Sequence, residues 1–337
     1  MEVITGWIHR SFPVTDTSCV GEARRHCAHT IADWGWSDVE AGQLSLIVTE
    51  LGSNLMRHAV GGQLWIAFNP AWQEVEVIAL DRGPGMPDVQ SSLTDGVSTG
   101  SGSPGTGLGA VRRMASDFDV HSSPAGTLVL ARMRPDGVAR PPIGARLGAV
   151  CLPAPGETHC GDGWALAEQE GEVALLVSDG LGHGPEAAAA SRAALAAFAN
   201  APFTPLPGLM ALVHQAMQGT RGGAVFAAHV PVDAVLRYSG AGNILGRVFS
   251  GVFDQGLITP HGTAGVQMRR TEASTHALPR HALVLLHTDG VASRWPSAPL
   301  VALLPRNPTL LAAALAWTHT RGRDDTTVVV LKQEEPA

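Results

Sequence analysis

The sequence has few cysteines, and none lies in a pattern that would give it a structural role. Its 337 residues include four cysteines and no CxxC pair. Four are too few to cross-link a chain of this length, which fits a reducing compartment and makes structural zinc unexpected. No block rich in lysine or arginine is present and the net charge is -7. Nucleic acid is therefore not the expected partner.

Long hydrophobic runs are also missing. The most apolar stretch, Glu186 to Asn200, is rich in alanine, contains Arg192 and is too short to span a bilayer. The N-terminus lacks a signal-peptide pattern, so we expect a cytoplasmic protein with no membrane segment. The composition, 45% apolar and 16% charged, is typical of a soluble globular chain with room for two domains.

A cluster of prolines and glycines divides the chain. Between Arg134 and Gly148 the sequence is RPDGVARPPIGARLG, with an apolar run on either side. Such a composition is typical of a domain boundary. We predict a first domain at 1–135, a linker at 136–142 and a second domain at 143–337.

The spacing of apolar residues predicts an α+β fold in both domains. In the first domain we predict helices at Val39–Val60 and Ala110–Phe118 and strands at Leu64–Phe68, Val75–Leu80 and Thr127–Met133. In the second we predict strands at Val173–Val177, Val225–Val230, Leu283–Leu286 and Thr327–Leu331 and helices at Glu186–Asn200 and Thr309–Trp317. Strands outnumber helices there, which indicates a sheet or sandwich flanked by helices.

Three polar residues share one face of the first predicted helix. Glu50, Asn54 and His58 are four residues apart, so they can point together into a pocket. An asparagine oxygen suits the Mg²⁺ that accompanies nucleotide phosphates, and a nearby carboxylate can accept a proton from an attacking hydroxyl. The alternative is an ordinary polar helix surface, and His58 alone is more typical of a packing or solvent-facing residue.

Two glycine-rich segments complete this first group. Asp81 ends a predicted strand and begins DRGPG, where a carboxylate can accept a hydrogen bond from an adenine amino group. The segment GTGLG at 105–109 leads into a predicted helix, whose free N–H groups can hold phosphate oxygens. It is neither a Walker A loop nor a Rossmann fingerprint. A loop without function is the alternative.

In this order, from about Ala41 to Met133, the motifs resemble the GHKL ATPase family. Within it, the stretch Asp95 to Thr99 and the glycine segment that follows look most like the serine/threonine switch kinases of bacterial partner-switching systems, of the RsbT and RsbW types. The resemblance implies a Bergerat-type α/β sandwich that binds ATP and Mg²⁺, with Glu50 as base and Asn54 as Mg²⁺ ligand. The nucleotide-binding residues that it implies are Asn54, Asp81, Gly83, Gly85, Gly105, Thr106, Gly107, Leu108, Gly109 and Thr127.

Four aspartates lie at predicted strand ends in the second domain. Asp179 and Asp289 each follow an apolar strand in a Ser/Thr-Asp-Gly pattern, while Asp162 and Asp324 each lie just before a strand. Carboxylates that converge on one sheet edge repel each other unless cations separate them, and an all-oxygen set selects Mg²⁺ or Mn²⁺. Two such ions can direct a water at a phosphorus atom. Each Asp-Gly pair alone is more typical of a turn.

These motifs, with DGLGHG at 179–184 and RDDTT at 323–327, resemble the SpoIIE branch of the metal-dependent PP2C phosphatases, including the short RsbX type, over about Ile143 to Lys332. The resemblance implies an αββα sandwich with Asp179 and Asp289 at the catalytic centre. The metal ligands that it implies are Asp162, Asp179, the Gly180 carbonyl, Asp289 and Asp324. Asp325 remains an alternative to Asp324, and His183 is either a general acid or a turn residue.

Together the two halves predict a partner-switching regulator. The second domain would act as a Mn²⁺- or Mg²⁺-dependent phosphatase of phosphoserine and phosphothreonine, and the first as an ATP-binding serine/threonine kinase-like domain. By resemblance, the partners are STAS-domain proteins of stressosome or sigma-factor signalling. In the alternative, the first domain is a non-catalytic, ATP-dependent module that binds a partner, and only the phosphatase is active.

Overall fold

The computed structural model describes residues 2–93, 107–230, 235–279 and 281–333. The chain divides into two compact units, an N-terminal unit of His9–Pro141 and a C-terminal unit of Met1–Ile8 with Pro142–Ala337. The first strand, β1 (Glu2–Thr5), belongs to the C-terminal unit, whereas the predicted first domain, 1–135, includes it. Over the described ranges, no helix is both long and apolar enough to cross a membrane.

Over its described residues, the N-terminal unit is one antiparallel sheet with helices packed on one face. Its strands are β2 (His9–Pro13), β3 (Gln63–Asn69), β4 (Glu74–Leu80), β5 (Asp117–Ser123) and β6 (Gly126–Met133), in the order β2-β3-β4-β6-β5. Its helices are α1 (Thr17–Ile31), α2 (Asp38–His58), α3 (Val89–Ser92) and α4 (Gly107–Met114), with a 3-10 turn at Pro70–Trp72. Side chains alternate along a strand, so Val75, Val77 and Ala79 of β4 all join the core beneath the helices.

Helix α2 carries the first group of predicted site residues, and the sequence explains where it begins and ends. Ser37 and Glu40 cap its N-terminus reciprocally, each side chain accepting a backbone N–H of the other residue. Leu44, Ile47, Val48, Leu51 and Leu55 recur at helical spacing and are buried. The helix ends at His58, shortly before Gly61, which has a φ of +65°.

The opposite face of this sheet carries a row of five residues, four of which have ionisable side chains. His9, Ala67, Glu76, Arg132 and Asp117 are successive cross-strand partners across the five strands. The Glu76 carboxylate lies 2.9 Å from His9 Nε2 and accepts from Arg132 Nε at 2.6 Å, and all three side chains are buried. Burial alone would raise the pKa of Glu76, but Arg132 and His9 hold it at about 2.

In its described residues, the C-terminal unit contains two antiparallel sheets and four helices. Its remaining strands are β7 (Leu147–Leu152), β8 (Asp162–Gln169), β9 (Glu172–Gly180), β10 (Gly223–Val230), β11 (Val235–Ala241), β12 (Leu245–Phe249), β13 (Asp254–Leu257), β14 (Ser274–Ala277), β15 (Leu283–His287) and β16 (Thr326–Lys332). The helices are α5 (Ile143–Arg146), α6 (Pro185–Asn200), α7 (Leu206–Met217) and α8 (Pro308–His319), with a 3-10 helix at Ala298–Leu303. The sheet orders are β1-β8-β9-β10-β11-β14 and β13-β12-β15-β16-β7.

Helices cover the outer faces of these two sheets. Ala190, Ala194 and Phe198 of α6 pack with α7 against the first sheet, and α8 packs on β7 and β16 of the second. Along β9, Leu176 faces these helices while its neighbours Leu175 and Val177, which point to the other face, are equally buried. The unit is therefore an αββα sandwich.

The predicted two-domain α+β fold, an α/β sandwich followed by an αββα sandwich, is confirmed. The predicted helix Ala110–Phe118 is wrong in its second half, because α4 ends at Met114 and β5 begins at Asp117. The Ser116 backbone N–H donates to the Arg132 carbonyl at 2.8 Å. This bond begins the pairing of the chain with β6, so the backbone is extended after this point and the helix does not continue.

Candidate functional site

Three carboxylates meet in one cavity of the C-terminal unit. Asp179 lies near the end of β9, Asp289 follows β15, and Asp324 precedes β16. The buried apolar strands fix these chain ends at the sheet edge, and all three aspartates line a cavity of about 390 Å³. Cavities of this size hold small ligands.

The charges of these carboxylates act on one another. Burial, Asp289 and Asp324 raise the pKa of Asp179 to about 7. Burial and Asp324 also raise the pKa of Asp289. Holding like charges together in this way costs free energy that a bound cation would offset.

The donor set fits a hard divalent cation. All three side chains offer oxygen ligands, which suit Mg²⁺ or Mn²⁺ better than zinc. Within the described residues, no three His, Cys, Asp or Glu side chains are already arranged around one point as metal ligands. The fit therefore rests on donor chemistry and charge, and the ligand set stays a prediction.

Asp162 lies beside Asp179 in the sheet, as its cross-strand partner in the pairing of β8 with β9. Its carboxylate is buried and accepts from Thr288 Oγ1 at 2.7 Å. Burial and Asp179 raise its pKa well above the ordinary value. Asp162 is absent from the described lining of the cavity. Gly180, the last residue of β9, donates its backbone N–H to the Gly161 carbonyl at 3.0 Å.

Asp324 and Asp325 occupy different environments, although they are neighbours in the chain. Asp324 lines the cavity. Asp325 is buried and accepts the backbone N–H of Ala154 at 2.8 Å and of Gly161 at 2.9 Å. This geometry favours Asp324 as the ligand and gives Asp325 a structural role.

In the N-terminal unit, Asp81 connects two of the predicted nucleotide-binding segments. Its Oδ1 accepts the backbone N–H of Gly83 at 2.7 Å and of Thr127 at 3.3 Å. These bonds hold the turn after β4 against the start of β6. Burial raises the pKa of the half-buried Asp81.

Two glycines allow this close approach. Gly85 has a φ of +75°, and an added Cβ would collide with the Ser123 carbonyl oxygen. Gly126 has a φ of +138°, and an added Cβ would collide with the carbonyl oxygen of Asp81. Only glycine combines this backbone conformation with so little space.

Helix α2 brings its polar face to the start of α4. A Cβ built on Gly107 would lie 3.8 Å from Asn54 Oδ1. Glu50 is partly exposed one turn before Asn54, whereas His58 is exposed at the helix end. Leu108 and Gly109 lie in the first turn of α4, while Gly105 and Thr106 fall outside the described residues.

Sequence comparison identifies relatives of both units. The profile of the histidine kinase-like ATPase domain matches residues 12–133, and that of stage II sporulation protein E (SpoIIE) matches residues 169–334. Serine/threonine-protein kinase RsbT of Bacillus subtilis (strain 168) is 31% identical over an alignment of 119 residues, which covers 32% of this chain and 89% of RsbT. The chain joins an RsbT-like ATPase domain to a SpoIIE-family domain.

Solved structures also resemble this protein. One structure comes from work on the bacterial stressosome as a modular system adapted to control secondary messenger signaling. It is 26% identical to this protein with a TM-score of 0.53, and the match covers 56% of this chain and 98% of that chain. A structure of RsbX in complex with magnesium is 21% identical to this protein with a TM-score of 0.48, and the match covers 54% of this chain and 92% of the RsbX chain. The predicted resemblance to switch kinases and to SpoIIE-type phosphatases is confirmed.

The SpoIIE domain contains cavity residues that the sequence analysis did not predict. Asn243 and His261 both line the cavity with the three aspartates, and Asn243 Nδ2 donates to Asp289 Oδ2 at 2.7 Å. Asn243 follows a glycine in an ordinary turn, so no local pattern marks it. His183 instead lies 2.7 Å from Glu157 Oε1 and is more than half exposed, which favours a turn residue.

Proposed function

We propose that this protein is a cytoplasmic partner-switching regulator with two opposed activities. The SpoIIE domain removes phosphate from phosphoserine or phosphothreonine of a partner protein, and the RsbT-like domain binds ATP and transfers phosphate to a serine or threonine. The partners are STAS-domain proteins of stress or sigma-factor signalling. The observation that carries this proposal is the cavity lined by Asp179, Asp289 and Asp324 within a SpoIIE-family domain.

In the phosphatase centre, Asp179, Asp289 and Asp324, with the carbonyl of Gly180, would hold the divalent cations. Bound Mg²⁺ or Mn²⁺ supplies an activated water and neutralises phosphoryl oxygens. The protein keeps the carboxylates in place through hydrogen bonds between strand ends. Thr288 Oγ1 donates to Asp162 and accepts the Thr327 backbone N–H at 2.9 Å, which connects the ends of β15 and β16 to β8.

In the kinase-like domain, Asn54 would hold the Mg²⁺ that accompanies ATP. Bound ATP supplies the phosphoryl group for transfer. The N–H groups of Gly83 and Thr127 orient the Asp81 carboxylate, which leaves it able to accept from the adenine amino group. Glu50, one turn before Asn54 on α2, is the proposed base for the partner's hydroxyl.

The test uses the full-length protein with a purified STAS-domain partner, labelled ATP and Mn²⁺. Asp179→Asn should let label accumulate on the partner, because removal of phosphate is lost while transfer continues. Glu50→Gln should abolish transfer and keep ATP binding. Asp254→Asn, in a partly exposed pair with Arg247 at 3.3 Å, is the matched control for loss of a carboxylate.

Two results would change the proposal. Phosphate release that Asp179→Asn leaves unchanged would refute the metal-site assignment. A wild-type protein that binds ATP and partner but never transfers label would leave the first domain as an ATP-dependent binding module.

A further inference from the structure

We propose that Asn243 is a positioning residue of the SpoIIE domain, whose side-chain amide orients the Asp289 carboxylate for divalent-cation binding. This inference rests on the phosphatase function proposed above. Asn243 lies in the turn between β11 and β12, and its Nδ2 donates to Asp289 Oδ2 at 2.7 Å. Both residues line the cavity with Asp179 and Asp324.

The amide has the chemistry that this position requires. A single N–H donor to Oδ2 restricts rotation of the Asp289 carboxylate and engages only one of its two oxygens. A lysine or arginine would bring a positive charge that competes with a cation. A carboxylate would repel Asp289. A neutral donor therefore orients the ligand without changing the charge of the site.

The backbone places Asn243 independently of this hydrogen bond. Gly242 has a φ of +112°, and an added Cβ would collide with Ala224 of β10. The Gly242 N–H also donates to the Pro260 carbonyl at 3.0 Å, and Ile244 is buried. Because the turn is fixed on both sides of Asn243, the amide is presented to Asp289 before any ligand binds.

Hydrogen-bond partners of metal ligands usually affect metal affinity, typically by ten- to a hundred-fold on mutation. Asn243→Ala removes the donor, so Asp289 must lose rotational freedom when a cation binds. Asn243 is exposed, and we expect the variant to fold with an unchanged Tm. The weakened step is then cation binding alone.

The experiment titrates Mn²⁺ alone into the full-length protein by isothermal calorimetry. Asn243→Ala should weaken Mn²⁺ binding by about ten-fold or more, and Asn243→Gln, which retains an amide donor, should recover part of the affinity. Gln255→Ala, which removes an exposed side-chain amide on β13 away from the cavity lining, is the matched control and should bind Mn²⁺ like the wild type. With p-nitrophenyl phosphate, the Asn243→Ala variant should regain its kcat at saturating Mn²⁺ while its substrate KM stays unchanged.

The failures are distinguishable. Wild-type Mn²⁺ affinity in Asn243→Ala, combined with a raised substrate KM, would overturn the proposal and place Asn243 against the substrate. Equal loss in Gln255→Ala would also overturn it, since the effect would then not depend on the Asp289 contact. A wild-type protein that neither binds Mn²⁺ nor hydrolyses phosphate would refute the proposed function together with this inference.

Discussion

Replacing Glu76 by glutamine should destabilise the kinase-like domain strongly at neutral pH and much less in acid. The carboxylate is buried against Arg132 and His9, which together overcome its burial and hold its pKa at about 2, compared with an ordinary value of 4.5. This lowering of the Glu76 pKa in the folded state corresponds to on the order of 3 kcal/mol of unfolding free energy. Because the folded-state pKa is the lower one, this stability is complete above about pH 4.5 and is lost as the pH falls toward 2.

Native-state hydrogen exchange of peptides from β4 and β6 measures this free energy in the kinase-like domain alone. At pH 7 we expect Glu76→Gln to cost about 3 kcal/mol, and at pH 3 the gap from wild type should shrink by about 2 kcal/mol. The control is Glu22→Gln, which breaks an ion pair with Arg10 at 2.7 Å whose side chains are both more than half exposed. Its cost should stay below about 1 kcal/mol. Equal costs for the two variants at pH 7, or a gap that does not change with pH, would refute this reasoning.

Three further predictions concern stability and the division of roles between neighbouring residues. Asp325→Asn should destabilise the SpoIIE domain by about 1–3 kcal/mol, because the Asp325 carboxylate accepts two backbone N–H groups. Asp324→Asn should instead abolish Mn²⁺ binding in calorimetry with little change in Tm, and similar Tm losses in the two variants would contradict this division. Gly126→Ala should sharply lower the Tm of the kinase-like domain, whereas Gly42→Ala, whose added Cβ meets open space in α2, should stabilise that domain by about 1 kcal/mol. An unchanged Tm in Gly126→Ala would argue against the close approach of Gly126 to the Asp81 carbonyl. Ser37→Ala removes the capping box of α2 and should cost about 1 kcal/mol in urea unfolding, a result that an unchanged midpoint would exclude.

Local patterns predicted the parts of the fold and site that depend on short stretches of sequence. A buried apolar strand that ends in Ser/Thr-Asp-Gly places its carboxylate at the sheet edge, and Asp179 and Asp289 do lie there. The helical spacing of apolar residues likewise predicted α2 closely. In both cases a few consecutive residues determine the geometry.

Features that depend on distant pairing were not predicted. Asn243 reaches Asp289 only because β12 and β15 are neighbours in the second sheet. The buried charges of Glu76 and Arg132 become partners only through the register of β4 and β6, which no local pattern indicates. The predicted helix Ala110–Phe118 runs two residues into β5, because the pairing of β5 with β6, rather than its own sequence, determines its conformation.

The position of β1 has a consequence for how this protein is synthesised. During translation β1 leaves the ribosome before its partner β8, which begins at Asp162, after the whole kinase-like domain. The sheet that contains β8 therefore gains its edge strand β1 only after the intervening domain has left the ribosome. Folding of that domain shortens the flexible connection between β1 and β8, which lowers the entropy cost of bringing the two strands together. A fragment that starts at Pro142 would lack β1 and expose the edge of β8. No single cut can release both domains intact.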